Sequence, residues 1–76
     1  MNVIKLLAEL DANFELNGFY SINVWPSFGE ITLQGNFTDN NIKVAKAMNI
    51  ELKFEDGYIR GKSENGIVKI TLAANN

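Results

Sequence analysis

The side chains that most often carry catalysis do not occur here: among the 76 residues there is no His and no Cys. Their absence removes the commonest general base, the commonest transition-metal ligand and the thiolate nucleophile. Ser21, Ser27 and Ser63 could serve as hydroxyl nucleophiles, but each needs a Lys base, and no spacing sets one beside it. No Gly-rich phosphate loop follows a strand, and no calcium-loop pattern occurs. The expectation is a protein that is not an enzyme and that holds neither cofactor nor metal.

Two groups of residues can still do binding chemistry. The first is Lys53, Arg60, Lys62 and Lys69 with Tyr58 among them, which gathers four of the seven basic residues in the last third of the chain. If this segment folds as hairpins, all five side chains share one sheet face. Such a face fits phosphate, nucleic acid or an acidic partner. Glu51, Glu55 and Glu64 fall on the same side, with Glu51 opposite Lys62, so a merely solvated face that discourages aggregation is the competing reading. Ribonucleoprotein motifs, which would interleave aromatics with bases on the strands, are absent.

The second group is Phe19, Trp25 and Phe28. Phe19 and Trp25 alternate out of phase with Tyr20, Ile22 and Val24, and Phe28 lies in the loop Pro26-Ser27-Phe28-Gly29. Exposed Trp and Phe together anchor protein interfaces. The alternative is that the rings fold back over the open end of a small core.

The elements that must position these groups follow from the spacing of the apolar residues. Val3, Leu6, Leu7, Leu10 and Phe14 recur at helical intervals, predicting an amphipathic helix over 3–16 that Asn17-Gly18 ends in a left-handed conformation. Residues 19–25 and 30–37 alternate and predict an antiparallel hairpin, in which Gly35 marks a bulge or a close backbone approach. Thr38 caps a second helix over 39–48, with Phe37 and Ile42 placed as a hydrophobic staple. Asn40 and Asn41, in its first turn, read as solvent-facing.

Asp56-Gly57 and Asn65-Gly66 predict two-residue type I′ turns joining strands 50–55, 58–64 and 67–73. Those turns pair Lys53 with Arg60, Phe54 with Ile59, Leu52 with Gly61, Lys62 with Lys69 and Gly61 with Ile70. Leu52, Phe54, Ile59, Val68, Ile70 and Leu72 then share one face, and a slip of one residue would disperse them. Gly61 sits amid that face and implies a helix packed closely over it. The expected core is Leu7, Leu10, Ile22, Leu33, Leu52, Phe54, Ile59, Ile70 and Leu72.

The fold class is therefore α+β: a two-layer arrangement of a mainly antiparallel five-stranded sheet with two helices on one face, in the order αββαβββ. Residues 1–76 make one domain, with 73–76 as a loose tail. The pattern leaves open whether the second helix joins parallel strands or two antiparallel units. The formal charge of −2 is ordinary and opposes non-specific DNA binding by the chain as a whole. Val3, Ile4, Leu6 and Leu7 are followed at once by Glu9 and Asp11, too short and too acidic a stretch for a signal peptide or membrane span. A cytoplasmic location is the expectation, and Asn36-Phe37-Thr38 is then a chance match to the glycosylation pattern. The functional expectation is a small interaction module that binds a protein partner or itself, as regulator, inhibitor or assembly subunit. The alternative is a nucleic-acid-binding protein using the basic outer face.

Overall fold

The computed structural model describes residues 3–74. Helix α1 spans Val3–Asn13 and ends before the predicted stop, where the Asn13 side chain donates to the Glu9 carbonyl at 2.7 Å. A 3-10 turn, Leu16–Gly18, follows. Gly18 is not left-handed; what requires glycine there is the side chain of Asn41, whose Oδ1 lies 2.6 Å from where a Cβ would stand. Strands β1 (Phe19–Trp25) and β2 (Glu30–Asn36) precede helix α2 (Asp39–Ala47), and β3 (Lys53–Glu55), β4 (Tyr58–Lys62) and β5 (Val68–Ala73) complete the chain. The order is αββαβββ, as the spacing predicts. Ala73, at the end of the predicted strand 67–73 and also the head of the predicted tail, is the last residue of β5 and pairs with Asn36 and Tyr58; residues 75 and 76 lie outside the described residues.

The five strands form one sheet in the order β1-β2-β5-β4-β3. The pairs β1/β2, β3/β4 and β4/β5 are antiparallel, and β2/β5 is parallel. The last strand thus enters the centre of the sheet and joins the two hairpins, which settles the connection that the sequence pattern leaves open. The predicted pairs Lys53↔Arg60, Phe54↔Ile59, Lys62↔Lys69 and Gly61↔Ile70 are all present.

The two turns differ. Asp56 and Gly57 have φ of 52° and 81°, the type I′ requirement. Asn65 does not take positive φ; Gly66 alone does, at 75°, and its N–H donates to the Ser63 carbonyl. The cause is the Asn65 side chain, whose Oδ1 accepts from the Ile67 N–H at 3.1 Å and from the Ser63 hydroxyl at 2.6 Å. The loop is thereby widened without altering the register beyond it.

Ile31, Leu33, Val68, Ile70 and Leu72 share one face of β2 and β5 and are buried with Val3 of α1 and with Val44 and Ala45 of α2. Leu6, Leu7, Leu10, Leu52 and Ile59 pack at the margin of this cluster. Three expectations about the core are corrected. Tyr20 is 67% exposed and Phe19 is buried, because the ladder slips between Phe19 and Ser21. The extra residue reverses the parity and sets Phe19 on the same face as Ile22 and Val24. Phe54 has the expected parity, yet it is 72% exposed because β3 is a three-residue edge strand at the margin of the core. Ile22, on the opposite edge, is also exposed rather than enclosed.

Gly61 does receive a close neighbour, but it is extended chain rather than helix. The Glu51 carbonyl and the Ile50 side chain occupy the place of its missing Cβ. This passage of residues 50–51 over β4 delays the start of β3 to Lys53, so Leu52 does not pair with Gly61, nor Glu51 with Lys62.

Candidate functional site

Helix α2 fixes the sheet through one polar side chain. Thr38 caps the helix, accepting from the Asn41 N–H at 3.2 Å. Asn41 itself is fully buried. Its amide donates to the Asn36 carbonyl at 2.8 Å and the Gly18 carbonyl at 3.1 Å, and its Oδ1 accepts from Asn40 at 3.3 Å. Asn41 is therefore a structural clasp between the entry to β1 and the exit of β2, not the solvated residue that its place in a first helical turn implies. No sequence signal marks it except the two glycines, Gly18 and Gly35, that make room for it.

The basic residues come together as the register predicts. Lys53, Arg60, Thr71, Gln34 and Ser21 form one row across all five strands of the face away from the helices, and Lys62, Lys69, Thr32 and Asn23 form the next. A depression of about 610 Å³ opens there, with Lys53, Arg60, Lys62 and Lys69 in its lining. The Arg60 guanidinium lies 5.3 Å from the centre of the Tyr58 ring. Two of the four charges meet carboxylates: Lys69 reaches Glu30 at 3.1 Å, and Arg60 reaches Glu55 at 3.8 Å. Lys53 and Lys62 have no carboxylate within ion-pair distance among the described residues.

The aromatic group is divided. Phe19 leaves it for the core, for the reason of parity given above. Trp25 and Phe28 remain at the β1–β2 tip, 48% and 76% exposed. The tip is a closed turn: the Phe28 N–H donates to the Trp25 carbonyl at 3.0 Å, the Gly29 N–H donates to the Pro26 carbonyl at 3.3 Å, and Gly29 takes φ of 66°. It therefore presents both rings on a defined scaffold. Tyr20, which parity would bury, adds a third exposed ring along the same strand. A separate apolar groove of about 500 Å³ lies beside α2, where Phe37, Ile42, Leu52, Phe54 and Ile59 line it.

Among the described residues, no group of three or more acidic side chains is placed to hold a metal ion, and no helix is long and apolar enough to cross a membrane. No protein-family model matches the chain, and neither the curated proteins nor the solved structures contain a match to it.

Proposed function

We propose that this protein is a small interaction module that binds another protein or a second copy of itself, acting as a regulator, inhibitor or assembly subunit rather than as an enzyme. The observation that carries this reading is the pair Trp25 and Phe28, both exposed on the hydrogen-bonded tip of a β-hairpin. Each aromatic ring removes about 150–250 Å² from water when buried, and exposed rings held on ordered backbone lose little entropy on docking. Tyr20, near the other end of β1, is a further exposed ring.

The test is a comparison of the wild type with Trp25→Ala and Phe28→Ala in affinity isolation from the native cell and in sedimentation. Association that both substitutions weaken, with the far-UV spectrum unchanged, supports the reading. Association indifferent to both refutes it.

A second reading is that the basic face binds nucleic acid. The Tyr58–Arg60 stack beside Lys53 and Lys62 favours it, since a base can stack where a guanidinium does. The two ion pairs, to Glu30 and Glu55, weaken it by neutralising half of the charge.

A further inference from the structure

The two edges of the sheet are not equivalent. Edge strand β3 is three residues long and carries Lys53 and Glu55, the usual protection against unwanted pairing. Edge strand β1 has seven residues, Phe-Tyr-Ser-Ile-Asn-Val-Trp, with no charge and no proline. Its only irregularity is the slip at Phe19/Ser21, which leaves residues 21–25 regular.

The hydrogen bonding of β2 shows which groups of β1 face outward. Ile31 donates its backbone N–H to Ile67, on the β5 side. Backbone groups of successive strand residues point to opposite sides, so Thr32 aims at β1 and bonds with its partner Asn23. The backbone N–H and C=O of Ile22 and Val24 therefore point away from the sheet. Ile22 is 40% exposed, and Trp25 closes the regular stretch.

We propose that β1 pairs antiparallel with β1 of a second copy of this chain, giving a continuous ten-stranded sheet across a two-fold axis. The proposal rests on the interaction-module reading and specifies its partner. In the register that uses the outward groups, Ile22 of each copy exchanges both backbone hydrogen bonds with Val24 of the other, four bonds in all. Asn23 then faces Asn23 of the second copy on the axis, and Trp25 faces Ser21. A second copy suits this edge because β1 is uncharged: antiparallel self-pairing brings no like charges together, and the neutral Asn23 meets itself on the axis. An isologous contact also doubles every apolar side chain that it covers.

The axial position provides the experiment. Asn23 is exposed, and facing residues in a non-hydrogen-bonded antiparallel pair have Cα atoms about 4.5 Å apart, within the range of a disulfide of about 4.4–6.8 Å. With no native Cys, Asn23→Cys introduces the only thiol. Under a mild oxidant this variant should cross-link to a dimer much faster than Ser27→Cys, whose thiol lies off the axis. Sedimentation of the wild type over a dilution series should show a dimer, and Asn23→Lys, which sets two ammonium groups face to face, should raise its dissociation constant by about fivefold or more. A monomer at every concentration overturns the proposal, as does a dimer unaffected by Asn23→Lys or equal cross-linking of the two Cys variants. A monomeric wild type that still captures a partner through Trp25 would remove this proposal and leave the broader reading standing.

Discussion

The amide nitrogen of Asn41 lies 2.8 Å from where a side chain on Gly35 would begin. The two residues are therefore complementary: one strand position is empty so that one helix side chain can reach two backbone carbonyls. The Asn36 carbonyl also accepts from the Thr38 N–H at 3.0 Å, so it is the buried Asn41 amide itself that depends on these bonds; a buried polar group left unpaired costs about 1–3 kcal/mol.

From this follows the first prediction. Asn41→Ala and Asn41→Leu should each destabilise the domain by about 2–4 kcal/mol, the larger side chain being no remedy because it donates nothing. Gly35→Ala should also be costly, since Asn41, Phe19 and the Gly18 carbonyl all crowd the added methyl. Urea denaturation is the measurement. A loss smaller than about 0.5 kcal/mol for Asn41→Leu would show that the clasp contributes little.

The slip in β1 yields a paired comparison. Phe19→Ala should cost about 3–5 kcal/mol, and Tyr20→Ala, one residue further on, should stay within about 0.5 kcal/mol. Simple strand alternation demands the opposite order, so thermal melts of the two variants decide between the two parities.

A similar contrast separates the centre of the sheet from its margin. Leu33→Ala and Ile70→Ala remove fully enclosed side chains and should each cost about 2–5 kcal/mol, enough to threaten folding in a chain of this size. Phe54→Ala, although on the same face of the sheet, should be nearly neutral in stability. If Phe54→Ala unfolds the domain, the groove beside α2 is closed in solution.

The nucleic-acid reading makes a salt-dependent prediction. Binding of single-stranded oligonucleotides by the basic face should weaken steeply as salt rises, and Lys53→Glu with Arg60→Glu should abolish it. Gel-shift experiments at low salt that show no complex with either single or double strands dispose of this reading.

The residues show why some of this was legible in the sequence and some was not. The register of β3, β4 and β5 could be read because two turn dipeptides and six apolar residues imposed the same alignment, and a widened turn at Asn65 left that alignment intact. The gathering of Lys53, Tyr58, Arg60, Lys62 and Lys69 on one face followed directly. Phe19 and Tyr20 could not be assigned, because Gly35 signals an irregularity without saying which strand holds the extra residue. Phe54 was misplaced for a different reason: parity gives the face of a sheet, but not how far the helices extend over it. Asn41 was missed because its partners are backbone carbonyls of residues 5 and 23 positions away, which leave no pattern in residue types. The parallel pairing of β2 with β5 depends on contacts across more than thirty residues and has no local signature.

That parallel pairing also governs the order in which the protein can be made. The β1–β2 hairpin and α2 are synthesised well before β5, so the edge of β2 that carries the Ile31 N–H must wait for its partner until that strand is made. The ends of the intervening stretch have to be brought together before any of the parallel bonds can form, and the entropy of closing it is lost in advance of the gain. Folding should accordingly be slow for a fold of this size, and a chain cut short before Val68 should leave the edge of β2 unpaired and prone to associate.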